Sequence, residues 1–168
     1  MQSLVRASKV IHWPLPTRYD GDYVATWEAM AGLVGNGARS VGVSNFQPDH
    51  LDRIVAETGV IPAVNQIEVN PFFTNEEARA ATLRHGALVE AWSPAAGGRI
   101  LEDPVIGAIA EELGRTPTQV ALRWQVERGD IVFPKTTHSE RMAENIDVFD
   151  FELTDDEIRE RMSGNLCR

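Results

Sequence analysis

The chain has 168 residues, a formal net charge of −9, 43% apolar residues and 24% charged ones, which suits a single globular domain over residues 1–168 with a core of its own. The acidity argues against a general nucleic-acid binder, which needs clustered Lys and Arg, and no apolar run approaches the roughly 20 residues of a membrane helix. The opening MQSLVRASKV lacks the apolar stretch of a secretory signal, and the sole cysteine, Cys167, provides no intramolecular disulfide or cysteine metal site, so a reduced, cytoplasmic setting without a metal is expected.

Short β-branched runs alternate with longer amphipathic ones. A first strand is expected at Val10–Trp13, followed by a helix with Tyr23, Trp27, Met30 and Val34 on one face, ended by Gly35-Asn36-Gly37. A second strand, Ser40–Ser44, precedes a helix carrying Leu51, Ile54, Val55 and Thr58 before Gly59. The third strand, Val64–Val69, leads to a helix opened by Thr74 with Glu77, and the fourth is Leu88–Trp92. Next come a helix with Pro104 in its first turn, ending at Gly114, and another opened by Thr116, Pro117 and Gln119. The fifth strand, Ile131–Pro134, precedes a last helical region, and Thr154 with Glu157 fits a further helix start. Strand–helix alternation implies an α/β fold with a parallel sheet, as either an open doubly wound sheet or part of a (β/α)8 barrel, and periodicity does not choose between them.

In such folds chemistry gathers at the C-terminal ends of the strands. Those ends carry His12-Trp13-Pro14, then Ser44-Asn45, then Asn65-Gln66 with Glu68, then Trp92-Ser93-Pro94, and finally Lys135-Thr136-Thr137 with Arg141, Glu144 and Asn145 beyond. Singly, each has a plainer reading. Asn45 could cap the helix after Pro48, His12 and Trp92 could be core residues, Lys135 and Arg141 could be solvated charges, and Glu140 could serve Thr137 in a capping box. As a set they recur at strand ends. The last strand combines a point charge, a hydroxyl, a helix N-terminus and a guanidinium, groups suited to a phosphate monoester.

Six segments in order, IHWP (11–14), VGVSNF (41–46), VNQIEVNP (64–71), AWSP (91–94), TPTQVALRW (116–124) and FPKTTHSERMAEN (133–145), with VFDFELTDDEI (148–158) closing, resemble the aldo-keto reductases, most of all bacterial members like the diketogulonate reductases. The resemblance implies about the last five β/α units of a (β/α)8 TIM barrel and NADPH-dependent reduction of a small aldehyde or ketone. It would make His12 the histidine that polarises the substrate carbonyl and place Trp13 in the substrate pocket. Ser44, Asn45 and Gln66 would bond the nicotinamide carboxamide, Trp92 would stack on its ring, and Ser93 would touch the pyrophosphate. Lys135, Thr136 and Arg141 would hold the 2′-phosphate, with Glu144 and Asn145 near the adenine.

The family's proton-donating tyrosine, with its lysine and aspartate, lies before the position of His12. Neither Tyr19 nor Tyr23 has the matching context, so the resemblance implies a truncated chain with one of four catalytic residues. The approach to IHWP and the stretch 162–168 also depart from the family pattern, and the latter leaves substrate preference unread. Part of a barrel would expose strand edges, so self-association or pairing with a missing half is expected. Four readings follow: a reductase needing its other strands, an NADPH-binding remnant, a product without stable function, and an unrelated open-sheet phosphate binder.

Overall fold

A computed structural model describes residues 9–154, which group into two compact units. The first comprises residues up to Ile67 together with Glu76–Val89, and the second Glu68–Asn75 together with Glu90 onward. The strands are β1 (Lys9–Ile11), β2 (Val41–Ser44), β3 (Val64–Glu68), β4 (Leu88–Trp92) and β5 (Ile131–Val132). The helices are α1 (Tyr23–Ala31), α2 (Pro48–Thr58), α3 (Glu76–Arg84), α4 (Pro104–Leu113), α5 (Pro117–Glu127) and α6 (Ser139–Ile146). Strand order is β1-β2-β3-β4-β5. A doubly wound sheet reverses its order at a switch point, whereas a barrel advances by one strand each time, so this order is the barrel's winding. None of the described helices is long and apolar enough to cross a membrane.

In the first unit β1 runs parallel to β2, with Val10 opposite Gly42, and β2 parallel to β3, with Val43 opposite Asn65. Trp27, Val43, Phe46, Leu51 and Ile54 form a core with no solvent exposure. The Trp27 indole N–H donates to the Val60 carbonyl, which satisfies the one polar atom that this burial would strand. Gly42 is forced by its neighbours: a Cβ there would lie 2.5 Å from Val64 Cγ2 and 2.8 Å from the Val64 carbonyl oxygen. Asp52 ties α2 to α3 by accepting from Arg84 and meeting the His85 ring, and these contacts, His85 first, hold its carboxyl below the usual carboxylate range.

In the second unit the end of β4 runs parallel to β5, with Glu90 opposite Ile131. Ile100, Ile106, Ile109 and Trp124 are fully buried, with Leu122 almost so. The Asp103 carboxylate caps α4 by accepting from Val105 and Ile106 N–H, and Gly114 ends that helix at φ 63°. The Thr116–Gln119 capping box forms as expected.

Several boundaries differ from expectation. Helix α1 stops at Ala31, because Gly32 has low helix propensity and the exposed Leu33 and Val34 gain no burial by continuing it. The strands β1 and β5 end early, at Ile11 and Val132, so His12 and Trp13 sit in a loop, as do Phe133 and Pro134; Pro134 has no N–H for the ladder. Helix α3 opens at Glu76 with Asn75 before it at φ 50°, which puts Thr74 one residue outside the cap position. The start expected at Thr154 with Glu157 lies outside the described residues.

Gly42→Ala tests the close approach of β3. The forced contact should lower stability by about 1–3 kcal/mol in urea denaturation, and an unchanged midpoint would show that β2 does not need glycine there.

Candidate functional site

The first unit carries His12, Trp13, Ser44, Asn45 and Gln66. Ser44 ends β2 and is buried, and its hydroxyl donates to the Gln66 carbonyl at 2.8 Å. The same carbonyl accepts the Asn45 N–H at 3.0 Å. The Asn45 amide nitrogen donates to the His12 carbonyl at 3.0 Å and to Ser44 Oγ at 3.1 Å. Asn45 thus couples the loop after β1 to the end of β2, and its φ of 61° is one that Asn tolerates better than most side chains. The reading of Asn45 as the cap of α2 is set aside, because Gln47 holds that position and its N–H donates to His50 Nδ1.

His12 is exposed and stacks beside Trp13, ring centroids 6.1 Å apart and planes 12° from parallel. The core-histidine reading therefore fails: the chain leaves β1 one residue earlier, and nothing buries the imidazole. Trp13 is 53% exposed. Gln66 is partly exposed, on the face of β3 opposite the buried Asn65 and Ile67.

The second unit holds the other seven. Along β4 Ala91 is buried while Glu90 and Trp92 are partly exposed on the opposite face, so Trp92 is not a core residue. Ser93 follows at φ 57° in a turn that Ala96 N–H closes on its carbonyl. A cavity of about 800 Å³ opens beside it, walled by Ser93, Lys135 and Thr136 and by Arg141, Glu144 and Asn145 of α6. That volume falls in the range of roughly 300–1,000 Å³ common for ligand sites. Arg141, Glu144 and Asn145 are spaced i, i+3, i+4, which puts them on one helical face. A smaller hollow of about 260 Å³ lies among Lys135, Thr136, Thr137, His138 and Arg141.

Its charge pattern is uneven. Among the described residues no carboxylate pairs with Lys135 or Arg141. The α6 N-terminus has no side-chain cap: His138 holds the position, and its own N–H goes to Thr136 Oγ. The expected box of Thr137 with Glu140 is thus out of register by one residue. Uncapped N–H groups, a lysine and an arginine together attract a phosphate dianion.

Helix α6 is held from α5. The Thr116 hydroxyl donates to Glu144 Oε1 at 2.5 Å, and Gln119 Nε2 donates to the Asp147 carbonyl at 2.8 Å and the Glu144 carbonyl at 3.3 Å. Arg115 bridges Asp147 and Asp150, and its hydrogen bond to Asp150, with the charges of both carboxylates, holds the guanidinium above its ordinary range. The sequence marks Thr116 and Gln119 only as a helix start; that Thr116 also walls the cavity is a tertiary fact with no local signal. The same holds for Gly97, Gly98 and Leu101, which also line the wall.

Asn45→Ala and Asn45→Gly both lose the bonds to His12 and Ser44, but only glycine accepts the left-handed backbone freely. Alanine should be the less stable by about 1 kcal/mol in thermal denaturation. The reverse order would show that the backbone relaxes once the amide is gone.

The model of the Aldo/keto reductase family matches residues 9–163. An aldo-keto reductase of Mycolicibacterium smegmatis is 49% identical over 150 residues, which cover 89% of this chain and 54% of that protein. A crystal structure of a Gox0644 mutant in complex with NADPH superposes with a TM-score of 0.88 at 44% identity, covering 94% of this chain and 57% of that one. The Bombyx mori aldo-keto reductase in complex with NADP gives 0.84 at 35% identity, covering 96% and 58%. The chain spans about half the length of the curated relatives it matches. Its five parallel β/α units are part of a (β/α)8 barrel. With the family model over all the described residues and relatives of the same name at this identity, the chain belongs to the aldo/keto reductase family.

Proposed function

We propose that this chain is the cofactor-holding part of an NADPH-dependent reductase of small aldehydes and ketones. The observation that carries the reading is the pair Lys135 and Arg141, without carboxylate partners among the described residues, at the uncapped N-terminus of α6 on the large cavity. Two cations so placed suit the 2′-phosphate that distinguishes NADPH from NADH. Thr136 adds a hydroxyl, and Glu144 and Asn145, one helical turn on, offer acceptors and donors to an adenine. The presence of NADPH in the Gox0644 mutant structure and of NADP in the Bombyx mori structure supports the choice of nucleotide.

In this reading Ser44, Asn45 and Gln66 take the nicotinamide carboxamide, Trp92 offers a flat face to the ring, and Ser93 approaches the pyrophosphate. Bound NADPH supplies the hydride. His12, exposed beside Trp13, hydrogen-bonds the substrate carbonyl oxygen and draws charge toward it. The family's proton-donating tyrosine has no match in the sequence, so in this reading another group must give the alcohol its proton.

A second reading is an NADPH-binding protein without turnover, favoured by His12 being the only member of the family's catalytic set matched in the chain. Loss of NADPH absorbance with an aldehyde, once strands carrying the family's tyrosine, lysine and aspartate are supplied from a relative, separates the two. Val10, Leu88 and Ile131 are exposed on their strands, which supports association with a second copy or with further strands. Sedimentation should show an assembly, and a monomer that unfolds cooperatively would exclude that part of the proposal.

Quenching of tryptophan fluorescence tests nucleotide binding. NADPH should quench saturably and more tightly than NADH. Lys135→Ala or Arg141→Ala should each weaken NADPH by about tenfold or more, the scale of a charge-assisted contact, and leave NADH nearly unchanged. Equal losses for both nucleotides would place the two cations elsewhere than on the 2′-phosphate.

A further inference from the structure

Resting on the NADPH reading, we infer that Thr116 is a positioning residue: by donating its hydroxyl proton to Glu144, it aims that carboxylate at the nucleotide base and gives the cavity its preference for adenine. Thr116 is the N-cap of α5, and its Oγ accepts the Gln119 N–H at 3.3 Å. Capping uses only a lone pair. A hydroxyl has a single proton, and here it goes to Glu144 Oε1 at 2.5 Å. The cap alone does not call for a hydroxyl, since aspartate serves as well or better, and Asp103 does so on α4 by accepting two N–H groups. What threonine adds over aspartate at position 116 is a donor, directed across to α6.

Glu144 is therefore fixed twice, through its backbone carbonyl by Gln119 Nε2 and through Oε1 by Thr116. It lines the same cavity as Lys135 and Arg141. A carboxylate repels phosphate, so on this wall it belongs against the part of the ligand that donates hydrogen bonds. Adenine presents a 6-amino group there. Hypoxanthine presents a carbonyl oxygen, which the carboxylate repels.

The test titrates the 168-residue chain calorimetrically with adenosine 2′,5′-bisphosphate and with inosine 2′,5′-bisphosphate, which differ only in the base. The wild type should prefer the adenosine compound by about tenfold or more, the scale of one hydrogen bond to a charged group. Thr116→Asp keeps the cap and removes the donor, so the preference should collapse to about twofold or less while Thr116→Ser retains it. A merely structural role for Thr116 would change both affinities together and leave their ratio alone. Glu144→Gln reads the same contact even if Thr116→Asp does not fold. With Thr116 holding the amide oxygen, the NH₂ faces the base and the ratio should swing toward inosine. An unchanged ratio in Thr116→Asp or Glu144→Gln, or a lost preference in Thr116→Ser, overturns the assignment. A wild type that binds neither compound overturns the NADPH reading beneath it, whereas one that binds both equally overturns the adenine assignment and leaves that reading standing.

Discussion

The grip of α5 on its surroundings is the constraint on which the second unit depends. The strand β5 is two residues long and cannot by itself fix the loop and helix that follow. Helix α5 does so from several points. Arg115, Thr116 and Gln119 at its N-terminus hold Glu144, Asp147 and Asp150. Farther along, Arg123 donates to the Val148 carbonyl, Gln125 to the Val69 carbonyl, and the Glu127 carboxylate accepts the Leu153 N–H. Each bond contributes only about 1 kcal/mol net, but most of them join α5 to α6 or the segment just after it. The consequence is positional: Arg141, Glu144 and Asn145 keep one face of α6 on the cavity.

The first unit solves the same problem with short side chains that bond backbone carbonyls. Ser44 and Asn45 converge on the Gln66 carbonyl, and Asn45 reaches back to His12, so the ends of β2 and β3 and the loop after β1 are tied. Gly42 lets β3 come close enough for that to happen. Both units put polar groups where strands end and keep apolar ones beneath, as the winding of a parallel β/α fold requires.

The α/β class, the strands and most helix ends could be read directly, because period and caps are local properties. Gly59 and Gly114 end α2 and α4 as their positions suggest, and Thr116 opens α5. Barrel winding could not be read from periodicity, since strand order is set by pairing; the ordered motifs pointed to it instead. The apolar pattern overruns the end of α1, because Leu33 and Val34 continue it but are exposed. The core reading of His12 fails only when the loop after β1 is seen, and the cap reading of Asn45 only when Gln47 is found at the start of α2. The second use of Thr116 had no local sign, for its partner Glu144 lies 28 residues away.

In the proposed function the cavity beside α6 recognises a nucleotide by its 2′-phosphate. This recognition is tested most directly by calorimetry with adenosine 2′,5′-bisphosphate against adenosine 5′-monophosphate, which lacks that group. The bisphosphate should bind tighter by about a hundredfold, the scale of two charge-assisted contacts, and the advantage should shrink as salt is raised. Equal affinity for the two, or an advantage indifferent to salt, would contradict it.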